Sequence, residues 1–214
     1  MAHHRLFGLF TAAALVTSCG STGSGGASIR GGDAWSADFD APTELTTERI
    51  RLEPLHPRHT ELDHAAFSSC NAYLQKTLQW AGWPEDDMTL EKNRGDLQRH
   101  WDEFEAHEAY AYTVLAPDGE RCVGCLYINP TDVFGDELQG QIYFWVIESE
   151  LEGELDRHLL EQVFAWFEAE WPFDKVLVPI RKENEGGLAL VRSMGLGKVP
   201  IDPGGDYTGF VWKR

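Results

Sequence analysis

From Arg49 to Leu55 polar and apolar residues alternate (Arg-Ile-Arg-Leu-Glu-Pro-Leu), which predicts a strand buried on one face. A short helical stretch follows over about 58–68, then an irregular segment around Trp80-Ala-Gly-Trp-Pro84. Thr89 is a plausible N-cap for a helix whose Leu90, Leu97, Trp101 and Phe104 recur at helical spacing, with Gly95 as a mild weakness. Two apolar runs, 109–115 and 121–128, flank Pro117-Asp118-Gly119 and predict a hairpin. A further strand is expected over 141–147. Next, Leu155, Leu159, Leu160, Val163, Phe164, Phe167 and Trp171 line one side of a helix that Pro172 stops. The chain closes with a strand over 175–180, a helix from Glu185 to Met194 ended by Gly195, and a strand near 208–212. This order predicts one α/β (α+β) domain with a mixed sheet.

The first residues follow a different pattern. A short basic start, an apolar run of roughly eleven residues and Val16-Thr17-Ser18-Cys19 resemble a bacterial lipoprotein signal, and the Gly/Ser-rich stretch after it has the composition of a flexible tether. The expected division is a signal peptide at 1–18, a tether at 19–44 and a domain at 45–214. Cys19 is then the lipidation site, holding the protein to a membrane in the cell envelope. If the start is misassigned, the protein is cytoplasmic.

Composition narrows the partners. The 214 residues carry 18 Lys+Arg against 35 Asp+Glu, a net charge of -17, which disfavours nucleic acid and anionic lipid surfaces. Aromatic residues at 12%, with 8 Trp, supply enough apolar area for a packed core. Cys70, Cys122 and Cys125 remain beside Cys19. In a regular strand, residues three apart face opposite ways, so Cys122 and Cys125 read as separate small buried residues. With no His pair at ligand spacing near them, no metal site is expected.

The opening Thr-Glu-Arg-Ile-Arg-Leu-Glu-Pro-Leu, the hairpin, the Ile-Tyr-Phe-Trp-Val strand and Asn184-Glu-Gly-Gly-Leu-Ala-Leu-Val-Arg-Ser-Met-Gly-Leu follow one another as in the GNAT superfamily. Residues 45–214 resemble that family of acyl-CoA-dependent N-acetyltransferases. The resemblance implies a GNAT-like, mostly antiparallel central sheet flanked by helices. It also implies acetyl-CoA as co-substrate and an amine of a small molecule or peptide as acceptor. A slot is expected between the strand ending near Ile147 and the strand ending near Ile180, with Trp145, Val146 and Ile147 offering backbone groups to the pantetheine arm. Glu148 is the candidate base, or else a solvated carboxylate at a strand end. Gly153 belongs to the stretch matching the family's pyrophosphate loop, and Asn184 is either a cofactor contact or the cap of its helix.

Two positions depart from the family pattern. The loop reads Glu150-Leu-Glu-Gly-Glu-Leu155, acidic where the family has Arg or Gln, and Ser149 with Glu152 reads as a capping box that would occupy the N–H groups a pyrophosphate needs. Arg157, Arg181 and Lys182 are either phosphate partners or ordinary surface charges. Seven residues after Asn184, where a thiolate-protonating tyrosine is common, stands Val191, with Tyr143 or Tyr207 as substitutes if geometry allows. The alternative to an enzyme is a non-catalytic, lipid-anchored binding protein on the same scaffold. An exposed strand edge could support a homodimer.

Overall fold

The computed structural model describes residues 39–80, 83–135, 139–201 and 205–214. Cys19, the expected signal peptide and most of the expected tether lie outside them. Eight strands form one sheet in the order β1-β2-β3-β4-β5-β6-β8-β7. They are β1 (Leu45–Thr46), β2 (Arg51–Pro54), β3 (Tyr110–Leu115), β4 (Cys122–Thr131), β5 (Gln139–Val146), β6 (Lys175–Arg181), β7 (Gly197–Val199) and β8 (Tyr207–Lys213). Every neighbouring pair is antiparallel except β5 and β6, which are parallel. Among the described residues five α-helices accompany the sheet: α1 (Thr60–Ser68), α2 (Asn71–Leu78), α3 (Leu90–Glu105), α4 (Leu155–Glu170) and α5 (Glu185–Ser193). This is the GNAT-like mixed, mostly antiparallel single domain expected from the sequence.

Local chemistry fixes several boundaries. The β3–β4 hairpin turns at Gly119, whose φ of +75° suits glycine, and Asp118 Oδ1 accepts from the Glu120 N–H at 3.0 Å. Thr89 caps α3 by accepting from the Lys92 N–H at 3.2 Å. Gly195, at φ +77°, follows α5.

The helices divide between the two faces. α1 and α3 cover one, where Asp63 meets Cys125 and Asn93. α4 covers the other with an aromatic layer: Trp166 meets Tyr112 edge-on at 5.2 Å and Phe164 stacks on Trp212 at 5.5 Å.

Four expectations need correction. The packed domain includes residues ahead of Leu45: Phe39 lies 5.4 Å from Trp171, Ala41 is buried, and the Pro42 carbonyl accepts from the Tyr112 hydroxyl at 2.7 Å. Leu90 is exposed rather than facing the core, because it opens the first turn of α3. Ser149 caps nothing: Glu148–Glu150 is a 3-10 turn without a side-chain cap, and α4 starts only at Leu155, after Glu154 in a left-handed conformation.

The fourth concerns the two cysteines. Leu115 pairs with Cys122 while Val114 pairs with Gly124, so Val123 is an extra residue in β4. Such a bulge resets the alternation of faces. Cys122 and Cys125 therefore point the same way.

Candidate active site

β5 and β6 run together for only two register pairs, Gly140 with Val176 and Gln141 with Leu177, and then part. The Ile147 N–H donates to the Val123 carbonyl at 2.9 Å, which places residue 147 in a hydrogen-bonded pair with β4. Antiparallel ladders alternate. Trp145 accordingly turns its backbone groups to β4, whereas Phe144 and Val146 turn theirs toward the gap beside β6. A cavity of about 260 Å³ fills this gap. Its walls come from β5, the end of β6, α2 and Trp80, and the start of α5.

The structure sorts the expected residues. Trp145 and Val146 line the slot, but of the three strand-end residues only Val146 can offer its backbone; the Trp145 ring packs against Trp83 at 5.7 Å. Ile147 spends its N–H on β4 and lies outside the lining. Glu148 is exposed in the 3-10 turn beyond β5 and does not line the slot. Gly153 is also outside, its carbonyl accepting from Arg49 Nη2 at 2.8 Å. Asn184 both lines the slot and caps α5, its Oδ1 accepting from the Gly187 N–H at 2.9 Å. Val191 is fully buried, whereas Tyr143 and Tyr207 both reach the slot, their rings 6.3 Å apart.

Phe144 and Trp80 are lining residues that the sequence did not single out, and Asp156 is the one carboxylate of the acidic entrance to α4 that reaches the lining. Phe144 was available from strand alternation once the partner strand of Ile147 was known. Trp80 lies edge-on to Tyr143 at 6.1 Å and to Tyr127 at 5.7 Å, making an aromatic wall. Arg181 sits beside Tyr207 at 5.2 Å and donates to Gln79 Oε1 at 2.8 Å, with Asp206 at 3.4 Å. It therefore lines the slot where the end of α2 meets it. Lys182 donates to the Gly205 carbonyl, and Arg157 pairs with Glu154 at 3.2 Å. Burial pushes the Tyr143 hydroxyl well above the usual tyrosine range, and that hydroxyl accepts from Gln141 Nε2 at 3.0 Å.

Beside the slot wall, the bulge gathers Asp63, Cys122 and Cys125, whose ligand-type atoms lie within 4.8 Å of one another. Each is already engaged. The Cys125 thiol donates to Asp63 Oδ1 at 3.4 Å and Asn93 Nδ2 to Asp63 Oδ2 at 3.0 Å. The Cys122 thiol donates to the Gly124 carbonyl at 3.3 Å. A metal would have to displace these hydrogen bonds and the thiol protons.

Burial raises the Asp63 carboxyl to about 6, against the opposing hydrogen bonds from Asn93 and Cys125. An acid raised on folding binds its proton more tightly in the native state, so its stability contribution is full below the unfolded value near 3.8 and is lost as pH climbs past about 6. Between pH ~4.5 and ~7.5 the loss is about 2 kcal/mol. Urea titrations of wild type and Asp63→Asn should give a stability difference that moves by that amount across the window. A pH-independent difference would mean that Asp63 titrates normally.

Neither a family model nor a curated protein sequence matches the chain. Solved structures do. RimL, the ribosomal L7/L12 alpha-N-protein acetyltransferase in complex with coenzyme A, superposes with a TM-score of 0.65 at 16% identity, covering 79% of this chain and 96% of that one. A putative ribosomal-protein-serine acetyltransferase from Vibrio cholerae gives 0.67 at 16% identity, with 84% and 100% covered. The microcin C7 self-immunity acetyltransferase MccE, in complex with acetyl-CoA and AMP, gives 0.64 at 10% identity, with 82% and 97% covered. The fold is that of the GNAT acetyltransferases.

Proposed function

We propose that this protein is an N-acyltransferase that moves an acetyl group from a pantetheine-type thioester, of which acetyl-CoA is the form in the structural neighbours, to the amine of a small molecule or peptide. The observation that carries this reading is the parting of β5 and β6 after two register pairs. It leaves the Phe144 and Val146 backbone groups facing a cavity instead of a strand, and an arm bearing amides can continue the ladder there. The ribosomal-protein acetyltransferases among the neighbours favour a peptide amine as the first acceptor to try.

In the transfer, the amine nitrogen attacks the thioester carbonyl carbon. The C–N bond forms, the C–S bond breaks, the nitrogen loses a proton and the departing thiolate gains one, giving an amide and a free thiol. Tyr207 supplies that proton, a role closed to Val191. Asp156 is the one carboxylate among the described lining residues, and its Oδ1 accepts from the Arg157 N–H at 2.8 Å, so it serves the start of α4. Glu148, exposed and outside the slot, has no part in the chemistry.

The test is thiol release from acetyl thioesters presented with a panel of amines and N-terminal peptides. Acceptor-dependent release is expected, and Glu148→Gln should retain it within about threefold. A larger loss in Glu148→Gln would restore it as the base. Thioester binding without release would favour the non-catalytic binding protein, a reading that the buried Val191 and the acidic turn before α4 also support.

A further inference from the structure

We infer that the donor taken by this slot is an acyl thioester of pantetheine or a similarly short thiol, without the phosphorylated nucleotide that coenzyme A carries; this rests on reading the slot as a thioester site. The slot has one rim at the start of α4, where Leu151 and Asp156 line it. The segment that brings Leu151 and Asp156 to that rim carries carboxylates at every second position, Glu148, Glu150, Glu152, Glu154 and Asp156. A tail of phosphates leaving the slot there meets carboxylates, and like charges at such range repel even through water.

The cations that could offset this are already engaged, Arg181 of the slot wall with Asp206 at 3.4 Å and Gln79 Oε1 at 2.8 Å. Arg157 pairs with Glu154 at 3.2 Å and Glu161 at 3.8 Å, and donates to Ser193 Oγ at 2.6 Å. Arg121 pairs with Glu150 at 3.0 Å, and Arg49 holds the Gly153 carbonyl. Part of the backbone is committed too. The N–H groups of Glu150, Leu151 and Glu154 donate to the Ile147, Glu148 and Leu151 carbonyls, and the Arg157 N–H is taken by Asp156. A phosphate-binding helix entrance works through N–H groups aimed outward at the anion. Here these four are closed into turns or onto a carboxylate, and those of Glu152, Gly153, Leu155 and Asp156, which donate to no backbone carbonyl among the described residues, sit on the segment that carries the carboxylates.

The slot itself keeps what an uncharged thioester arm needs. It offers the Phe144 and Val146 backbone, the Asn184 side chain and apolar walls from Leu190 and Ile142. The arm fits and the phosphates do not. The products are the acetylated amine and free pantetheine, with no other reactant required.

S-acetylpantetheine and acetyl-CoA should be compared as donors with the full chain, by thiol release and by the melting temperature each produces. The expected result is a kcat/KM for S-acetylpantetheine equal to or above that for acetyl-CoA, and a melting shift from pantetheine at least as large as that from coenzyme A. Raising salt from about 50 to about 500 mM should narrow the gap by screening the rim. The combined Glu150→Gln, Glu152→Gln and Glu154→Gln variant, which also frees Arg121 and Arg157, should improve acetyl-CoA by roughly tenfold while leaving S-acetylpantetheine where it was. Acetyl-CoA preferred by tenfold or more, with a larger melting shift from coenzyme A, would overturn the inference and leave the transferase reading standing. No turnover and no melting shift with either donor would sink both.

Discussion

Gly124→Ala is expected to cost about 3 kcal/mol or more of folding stability and to loosen the slot with it. A Cβ at this position would lie 2.2 Å from the Trp145 carbonyl oxygen and 3.2 Å from the Val146 Cα. Both neighbours are backbone of β5, so no side-chain rotation relieves the contact, and the two central strands must separate. Gly124 also stands beside the bulge that turns Cys122 toward Asp63, so the strain falls where β4 has little regular ladder left. Gly95 is the control. It lies within α3 with nothing inside 4 Å of its would-be Cβ, and Gly95→Ala should add roughly 0.5–1 kcal/mol. Urea midpoints for the two variants should move in opposite directions. A loss below about 1 kcal/mol in Gly124→Ala would mean that β4 and β5 part at little cost.

That contrast marks what the sequence could show. A helix face such as Leu155, Leu159, Leu160, Val163, Phe164 and Phe167 repeats often enough to define itself, and the hairpin carried its own turn residues at Pro117-Asp118-Gly119. α2 buries a single residue, Leu74, and so leaves no periodic signature; β1 and β7 are two and three residues long. The bulge at Val123 was invisible because it is a property of the pairing with β3, and nothing in Cys-Val-Gly-Cys states the register. The slot had the same character. Its place between β5 and β6 came from the resemblance, but the separation of Val146 from Trp145 and Ile147 depends on which strand each backbone group faces. Arg181 was legible as a charge and not as a direction: its reach toward Gln79 and Tyr207 follows from the β6–β8 register, in which Arg181 pairs with Tyr207. The acid-rich entrance to α4 was plain from the sequence. Its meaning changed once Arg121, Arg157 and Arg49 were found already paired.

Tyr207→Phe should lower kcat for acetyl transfer by about a hundredfold with little change in the KM for the thioester, the low end of what a general acid contributes, because a thiolate leaves readily. Three tyrosines line the slot, and their surroundings differ: burial, with the Asp156 carboxylate near it, pushes the Tyr73 hydroxyl up. Tyr143 is held by Gln141, and burial drives its hydroxyl well above the usual range, so it gives up a proton reluctantly. Tyr207 lines the slot where β8 begins, with the Arg181 guanidinium 5.2 Å from its ring. Tyr143→Phe should therefore cost only a few-fold. A change of leaving group separates proton donation from mere packing. With an acetyl thioester of a nitrothiophenol, whose thiolate departs without protonation, the Tyr207→Phe variant should recover to within about threefold of wild type. An equal deficit with both thioesters would make Tyr207 a wall residue, and the departing sulfur would then take its proton from water.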